Sequence, residues 1–289
     1  MENDAAAILS CEGMIRSRRR IPHGLGFETG PVTGVSMFLV GRDYELRDVG
    51  DNKFAMLFPA GTPRSVVEKE RDITILMRQY GMDTPFVHDI EEIDGRLGLV
   101  LDTVVGPTFT KWTIDNPTWY HRLALFFAYT QHEIYLHKVP ELPSVKERLN
   151  ELISQREDLT ESEREGLRKR LARMPGGDWT CHMAYMPYNI LVSIDGPIIF
   201  RWGGAVRGDY LADVAMTSLL FESWIPSAEE GEEVEKFRER FHTDYVAEMI
   251  KITGRMDEEL DAWRGLLRDI MGGPGKSPTE LTALSSGSL

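Results

Sequence analysis

A strand pair set late in the chain constrains the fold more than any other feature. The segments NILVSI (residues 189–194) and PIIF (197–200) flank Asp195-Gly196. An Asp-Gly pair between two apolar runs favours a tight hairpin. Around this pair the pattern is helical. From Pro117 onward the stretch WYHRLALFFAYTQHEIYLH carries helical spacing, a charged helix pair follows over 145–174, and helices resume after the hairpin to about Met271. The earlier chain reads differently. Short apolar runs broken by GRD and GDN over 35–58 predict hairpin strands, and 66–80 predicts a helix stopped before Gly81. Residues 86–101 predict two strands around Asp94-Gly95, and no internal repeat is present. Strands first, helices later and one late hairpin describe an α+β protein of two lobes. The expected layout is an N-terminal extension over 1–35, a β-rich lobe over 36–105, a helical lobe over 106–271 and a linker-like tail over 272–289.

Charge narrows the function. With 33 basic against 46 acidic residues the formal charge is −13, which argues against nucleic-acid binding, where Lys and Arg must neutralise phosphates. The basic cluster Arg16-Ser17-Arg18-Arg19-Arg20 reads as a solvated arm. Cys11 and Cys181 are the two cysteines, too few for a disulfide framework or a paired-cysteine metal site. The apolar run at residues 5–9 is too short for a secretory leader, and no segment reaches the apolar length of a membrane span. These features lead to the expectation of a soluble, cytoplasmic protein with no membrane or nucleic-acid partner.

The loop ahead of the late hairpin, CHMAYMPYNIL (181–191), is the most informative stretch. Together with GRDYELRDVGDNKFAMLF (41–58), DGRLGLVLDTVVGPTF (94–109), HKVPELPSVKERL (137–149) and the continuation VSIDGPIIFRWGGAVRGDYLADVAMTSLL, it resembles the aminoglycoside phosphotransferase family, a branch of the kinase-like fold. The resemblance covers roughly residues 36–265. It implies a small N-lobe, a larger helical C-lobe and a catalytic loop of the form HGDxHPxN. In that loop the Asp serves the acceptor hydroxyl and the Asn holds magnesium.

This chain departs from the pattern at each chemical position. His182, Pro187 and Asn189 match, but Met183, Ala184 and Met186 stand at the Gly, Asp and second His. The family's metal-binding Asp-Trp pair is replaced by Arg201-Trp202 after Phe200. The strand lysine that grips the nucleotide phosphates aligns with Met56, with Phe54 two residues earlier on the same strand face. Glu70 matches the helix glutamate that pairs with that lysine; Asp209 and Asp213 match structural aspartates, and His182 reads as a loop anchor.

Phosphoryl transfer depends on lysine, metal and base acting together. Loss of all three points to a phosphotransferase-like protein without ATP-dependent chemistry, no metal and no cofactor. The expected ligand is an apolar or aromatic small molecule held by Phe54, Met56, Met183, Ala184, Tyr185, Met186, Tyr188, Asn189, Phe200, Arg201 and Trp202. Two alternatives stand beside this repurposed biosynthetic enzyme or carrier: a non-catalytic pseudokinase that binds a protein partner across a collapsed cleft, and a residual small-molecule kinase. Arg201 is expected either to fork onto Glu70 or to meet an anionic group of the ligand. The histidines of HEIYLH (132–137) are five apart, on different helix faces, and do not form a zinc pair.

Overall fold

The computed structural model describes residues 44–223 and 231–272. The basic arm, Cys11, the strand expectation before Tyr44 and the tail beyond Gly272 lie outside the described residues. The first sheet is antiparallel, in the order β1-β2-β4-β3, from β1 (Glu45–Gly50), β2 (Lys53–Leu57), β3 (Val87–Ile93) and β4 (Arg96–Asp102). Both hairpins close on residues of positive φ: Asp51 (52°) and Asn52 (56°) in one, Asp94 (50°) and Gly95 (73°) in the other. That is the turn geometry that Asp, Asn and Gly tolerate best.

Between the hairpins lies α1 (Arg64–Gln79), whose buried residues Val66, Val67, Glu70, Thr74 and Met77 form one stripe. Register fixes the sheet's two faces. Phe54 pairs with Leu101 and Met56 with Leu99, and all four join a core with Val67, Leu191 and Phe200. The intervening Ala55 and Leu57 face the other side with Val100, as a two-residue period requires.

The chain then turns helical, with α2 (Phe109–Asp115), α3 (Tyr120–Leu136), α4 (Val145–Gln155) and α5 (Glu161–Arg173). The short α2 was not legible in the sequence pattern; its Thr108 cap accepts the Lys111 N–H at 3.2 Å. The strands β5 (Trp179–Cys181) and β8 (Val206–Gly208) pair antiparallel, and between them the late hairpin forms from β6 (Ile190–Ser193) and β7 (Gly196–Ile199). The chain continues through α6 (Tyr210–Ser223), α7 (Gly231–Thr253) and α8 (Asp257–Met271). A second, larger core joins these helices to the loop before the late hairpin. The result is a small antiparallel sheet lobe against a larger helical lobe, the α+β arrangement expected. At their junction Gly106 adopts φ +154°, and a Cβ there would lie 2.0 Å from the Val192 carbonyl oxygen, so glycine lets the connecting chain cross the late hairpin.

Candidate functional site

The loop between β5 and β6 is held from beneath by one carboxylate. Asp213, fully buried on α6, accepts the Met183 N–H at 2.6 Å and the His182 N–H at 3.1 Å. Gln131 and Tyr135 of α3 donate to the same carboxylate at 3.1 and 3.2 Å. Burial pushes the Asp213 carboxyl up, and these four donors oppose the shift. The loop turns sharply at Met183, whose φ is +63°.

His182 has both ring nitrogens committed. Its Nδ1 accepts the Ala184 N–H at 3.1 Å, so Nε2 carries the proton and donates to the Phe200 carbonyl at 3.1 Å. Burial holds its imidazole down to about 3, against a usual value of 6.5, so the ring is a neutral strut between loop and strand. Asn189 is equally occupied: its amide donates to the Ala184 carbonyl at 2.7 Å, and its Oδ1 accepts the Tyr44 hydroxyl at 2.8 Å. Tyr44 reaches this atom from the start of the sheet lobe, across 145 positions of sequence.

Glu70 and Arg201 meet at the lobe junction, in a way that differs from a simple fork. The Glu70 carboxylate, 2% exposed, accepts the Trp202 N–H at 2.7 Å on Oε1 and the Gly203 N–H at 2.8 Å on Oε2. A Cβ on Gly203 would stand 2.6 Å from Oε2, so glycine permits the approach. Arg201, 3% exposed and left-handed at φ +71°, places Nη1 3.9 Å from Glu70 Oε2. Its guanidinium also lies over the rings of Tyr44 (5.1 Å) and Phe58 (5.6 Å). Backbone donors therefore take the carboxylate that was expected to receive the guanidinium fork, and the arginine adds charge beside it.

The candidate ligand residues divide between two cores. Phe54, Met56 and Phe200 pack in the sheet-lobe core with Tyr44, Phe58 and Leu191. Met183, Tyr185, Met186, Tyr188 and Trp202 pack in the helical core. The Tyr185 ring lies 4.4 Å from Phe127, tilted by 37°, and its hydroxyl donates to the Phe127 carbonyl at 3.0 Å. Trp202 lies 4.5 Å from His182, and its indole donates to Ile199 at 3.0 Å. Ala184 is 4% exposed. Asp209, expected as a scaffold residue, accepts the Trp263 indole at 2.8 Å and pairs with Arg255 at 3.2 Å. Tyr44 and Phe58 are the site residues that sequence reasoning missed. For Phe58 the signal was present: it continues the Phe54, Met56 alternation on one strand face.

A solved structure identifies the architecture. The aminoglycoside-3'-phosphotransferase of type VIII superposes with a TM-score of 0.50 at 17% identity, covering 89% of this chain and 97% of that one. The chain has the aminoglycoside phosphotransferase fold. A choline/ethanolamine kinase family protein from Mesorhizobium loti aligns at a TM-score of 0.43 and 15% identity, over 95% of this chain and 99% of its own. An aminoglycoside phosphotransferase from Streptomyces rimosus, solved with ADP and streptomycin, gives 0.42 and 17%, over 90% and 98%. The sequence matches no family model, and no curated protein matches it. Among the described residues no helix is long and apolar enough to cross a membrane.

Proposed function

We propose that this chain is a phosphotransferase-fold protein that does not transfer phosphate from Mg-ATP, and that it works as a non-catalytic interaction or regulatory module. The observation that carries this reading is the position of Arg201. The family resemblance expects a magnesium ligand there, and the site holds a guanidinium between Glu70 and the rings of Tyr44 and Phe58. A buried cation repels magnesium at the point where a metal site must attract it. Two further features support the reading. Met56, 1% exposed, offers no charge to a phosphate, and the Asn189 oxygen that would face a metal already accepts the Tyr44 hydroxyl. Ala184, at the expected base position, carries no proton acceptor, and a positioned base alone contributes about 10²–10⁴-fold.

The test is calorimetric titration of the full chain with Mg-ATP, alongside a thermal-shift series. The expected result is no saturable heat and no shift in Tm. Low-micromolar binding of Mg-ATP overturns the proposal.

A second reading is an apolar small-molecule site in a repurposed enzyme or carrier. Its support is a cavity of about 20 Å³ in the helical lobe, which Met183 lines together with Val145, Leu149, Met216 and Met271 and which the other expected ligand residues do not line. A volume near 20 Å³ accepts a group of methyl or water size, so a larger ligand requires the methionine walls to move, which their unbranched side chains allow.

A further inference from the structure

Three methionines from three separate elements line the hollow in the helical lobe. Met183 comes from the loop between β5 and β6, Met216 from α6 and Met271 from the end of α8, and they share a space of about 20 Å³. Asp213 ties two of them together. It accepts the Met183 N–H at 2.6 Å and stands three residues before Met216 on α6, about one helical turn away. Each of the three is 3–5% exposed. Met183 holds φ +63°, a left-handed conformation that glycine adopts freely and that strains a residue with a Cβ. The loop keeps a methionine at this position against that strain.

The size and chemistry of the space select its guest. It admits one water-sized body, and a water needs two to four polar partners. The polar side chain in the wall is Arg148, which donates to Glu151 at 3.0 Å; the other lining residues are aliphatic, methionine or glycine. None of the lining side chains carries an oxygen, the donor that hard dications require. A thioether sulfur is instead a soft, polarisable donor that selects Cu(I). We propose that Met183, Met216 and Met271 form a three-thioether site for one soft monovalent cation, Cu(I). A single charge suits the place, because no carboxylate lines it among the described residues and Arg148 has its own counter-charge in Glu151. The expectation of no metal rested on lost magnesium ligands, and thioethers answer to a different class of ion. Glu70, Asn189 and Arg201 do not line the hollow, so the inference stands apart from the Mg-ATP reading.

The probe is Ag(I), a redox-stable soft monovalent ion, in chloride-free buffer. It is titrated into the full chain labelled with ¹³C at the methionine ε-methyls and carrying Cys11→Ser, which removes a competing thiol. One equivalent should move the Met183, Met216 and Met271 signals together and saturably, and should raise Tm. Zn(II) and Mg(II) should move none of the three. Met216→Leu removes one donor and nearly keeps the volume. It should weaken silver at least about tenfold, and Met271→Leu takes its place if that variant fails to fold. Cu(I), supplied without oxygen as its acetonitrile complex, should displace the silver. The proposal is overturned by an absence of saturable shifts, by shifts spread over methionines outside the hollow, or by silver binding that the leucine variant leaves unchanged. Binding lost in Cys181→Ala but kept in Met216→Leu overturns it in favour of the buried thiol, and silver that Cu(I) fails to displace overturns the copper assignment.

Discussion

Replacing Arg201 by methionine removes the charge at the lobe junction while keeping the Cβ, so the left-handed backbone at φ +71° is strained alike in both proteins. Three interactions go with the guanidinium. At 3.9 Å from Glu70 Oε2 the pair attracts by roughly 4 kcal/mol at an effective dielectric of about 20, before desolvation is subtracted. The contacts over Tyr44 and Phe58 add up to about 2 kcal/mol when desolvated. Against this, the buried charge no longer needs solvating, but Glu70 stays behind in a site where it is 2% exposed. Removing one member of a buried pair costs about 3–5 kcal/mol. For a chain of this size that corresponds to a drop in Tm of roughly 6–20 °C. The assay is urea unfolding of the wild type, Arg201→Met, Glu70→Gln and the double variant. A coupling energy of about 0.5–3 kcal/mol between the two positions is expected. Because Glu70 is also held by two backbone N–H groups, Glu70→Gln should be destabilising on its own. An Arg201→Met protein as stable as the wild type, with coupling near zero, would refute the idea that this arginine is structural.

Two other perturbations test the loop. His182 has a folded value of about 3 against 6.5 unfolded, so between these values the unfolded chain binds the extra proton. Stability from this group is then full above pH 6.5 and declines as pH falls toward 3. The loss amounts to roughly 4–5 kcal/mol across the window, and His182→Gln should flatten that part of the urea-derived stability profile; an unchanged slope would contradict the neutral-strut role. Ala184→Asp places a carboxylate where the side chain is 4% exposed, with Arg201 engaged at Glu70. It should lower stability by at least about 1–3 kcal/mol and yield no phosphoryl transfer from Mg-ATP; appearance of ADP above the wild-type background would show that the rest of the machinery is intact.

Turn chemistry made much of the fold readable. Asp51-Asn52 and Asp94-Gly95 announce hairpins because few other residues accept positive φ at successive positions. The loop with its late hairpin was readable because its spacing and its Asp-Gly turn are local. What escaped was nonlocal or too short to carry a period. The helix Phe109–Asp115 has seven residues, and β5 and β8 three each, fewer than a pattern needs. Tyr44 meets Asn189 only once the sheet lobe is seated on the loop. Side-chain letters suggested that Glu70 would pair with Arg201 through a fork, yet the backbone of Trp202 and Gly203 supplied the hydrogen bonds, with the Arg201 Nη1 at 3.9 Å. Backbone groups are present at every residue, so a sequence cannot show which of them a carboxylate will find. The clue lay in Gly203, where the absence of a side chain lets the carboxylate come close.

The residues at the lobe junction form one coupled set. With methionine at position 56, the strand face is apolar throughout and packs Phe54, Met56 and Phe58 against Phe200. That choice leaves the buried Glu70 without a strand cation, and an uncompensated carboxylate at that depth costs several kcal/mol, on the order of 3–5. Arg201 and the two N–H groups after it answer this need from the opposite lobe. The guanidinium in turn requires π faces, which Tyr44 and Phe58 provide, and the Tyr44 hydroxyl requires an acceptor, which is Asn189. Each residue thus removes a cost created by another. A lysine placed at position 56 would bring a second cation to a carboxylate already served, and an aspartate placed at 201 would set two carboxylates side by side. Interactions of this kind are cooperative, so changing one of these residues alone exposes a cost that another removes, and the joint between the lobes is held by the set as a whole.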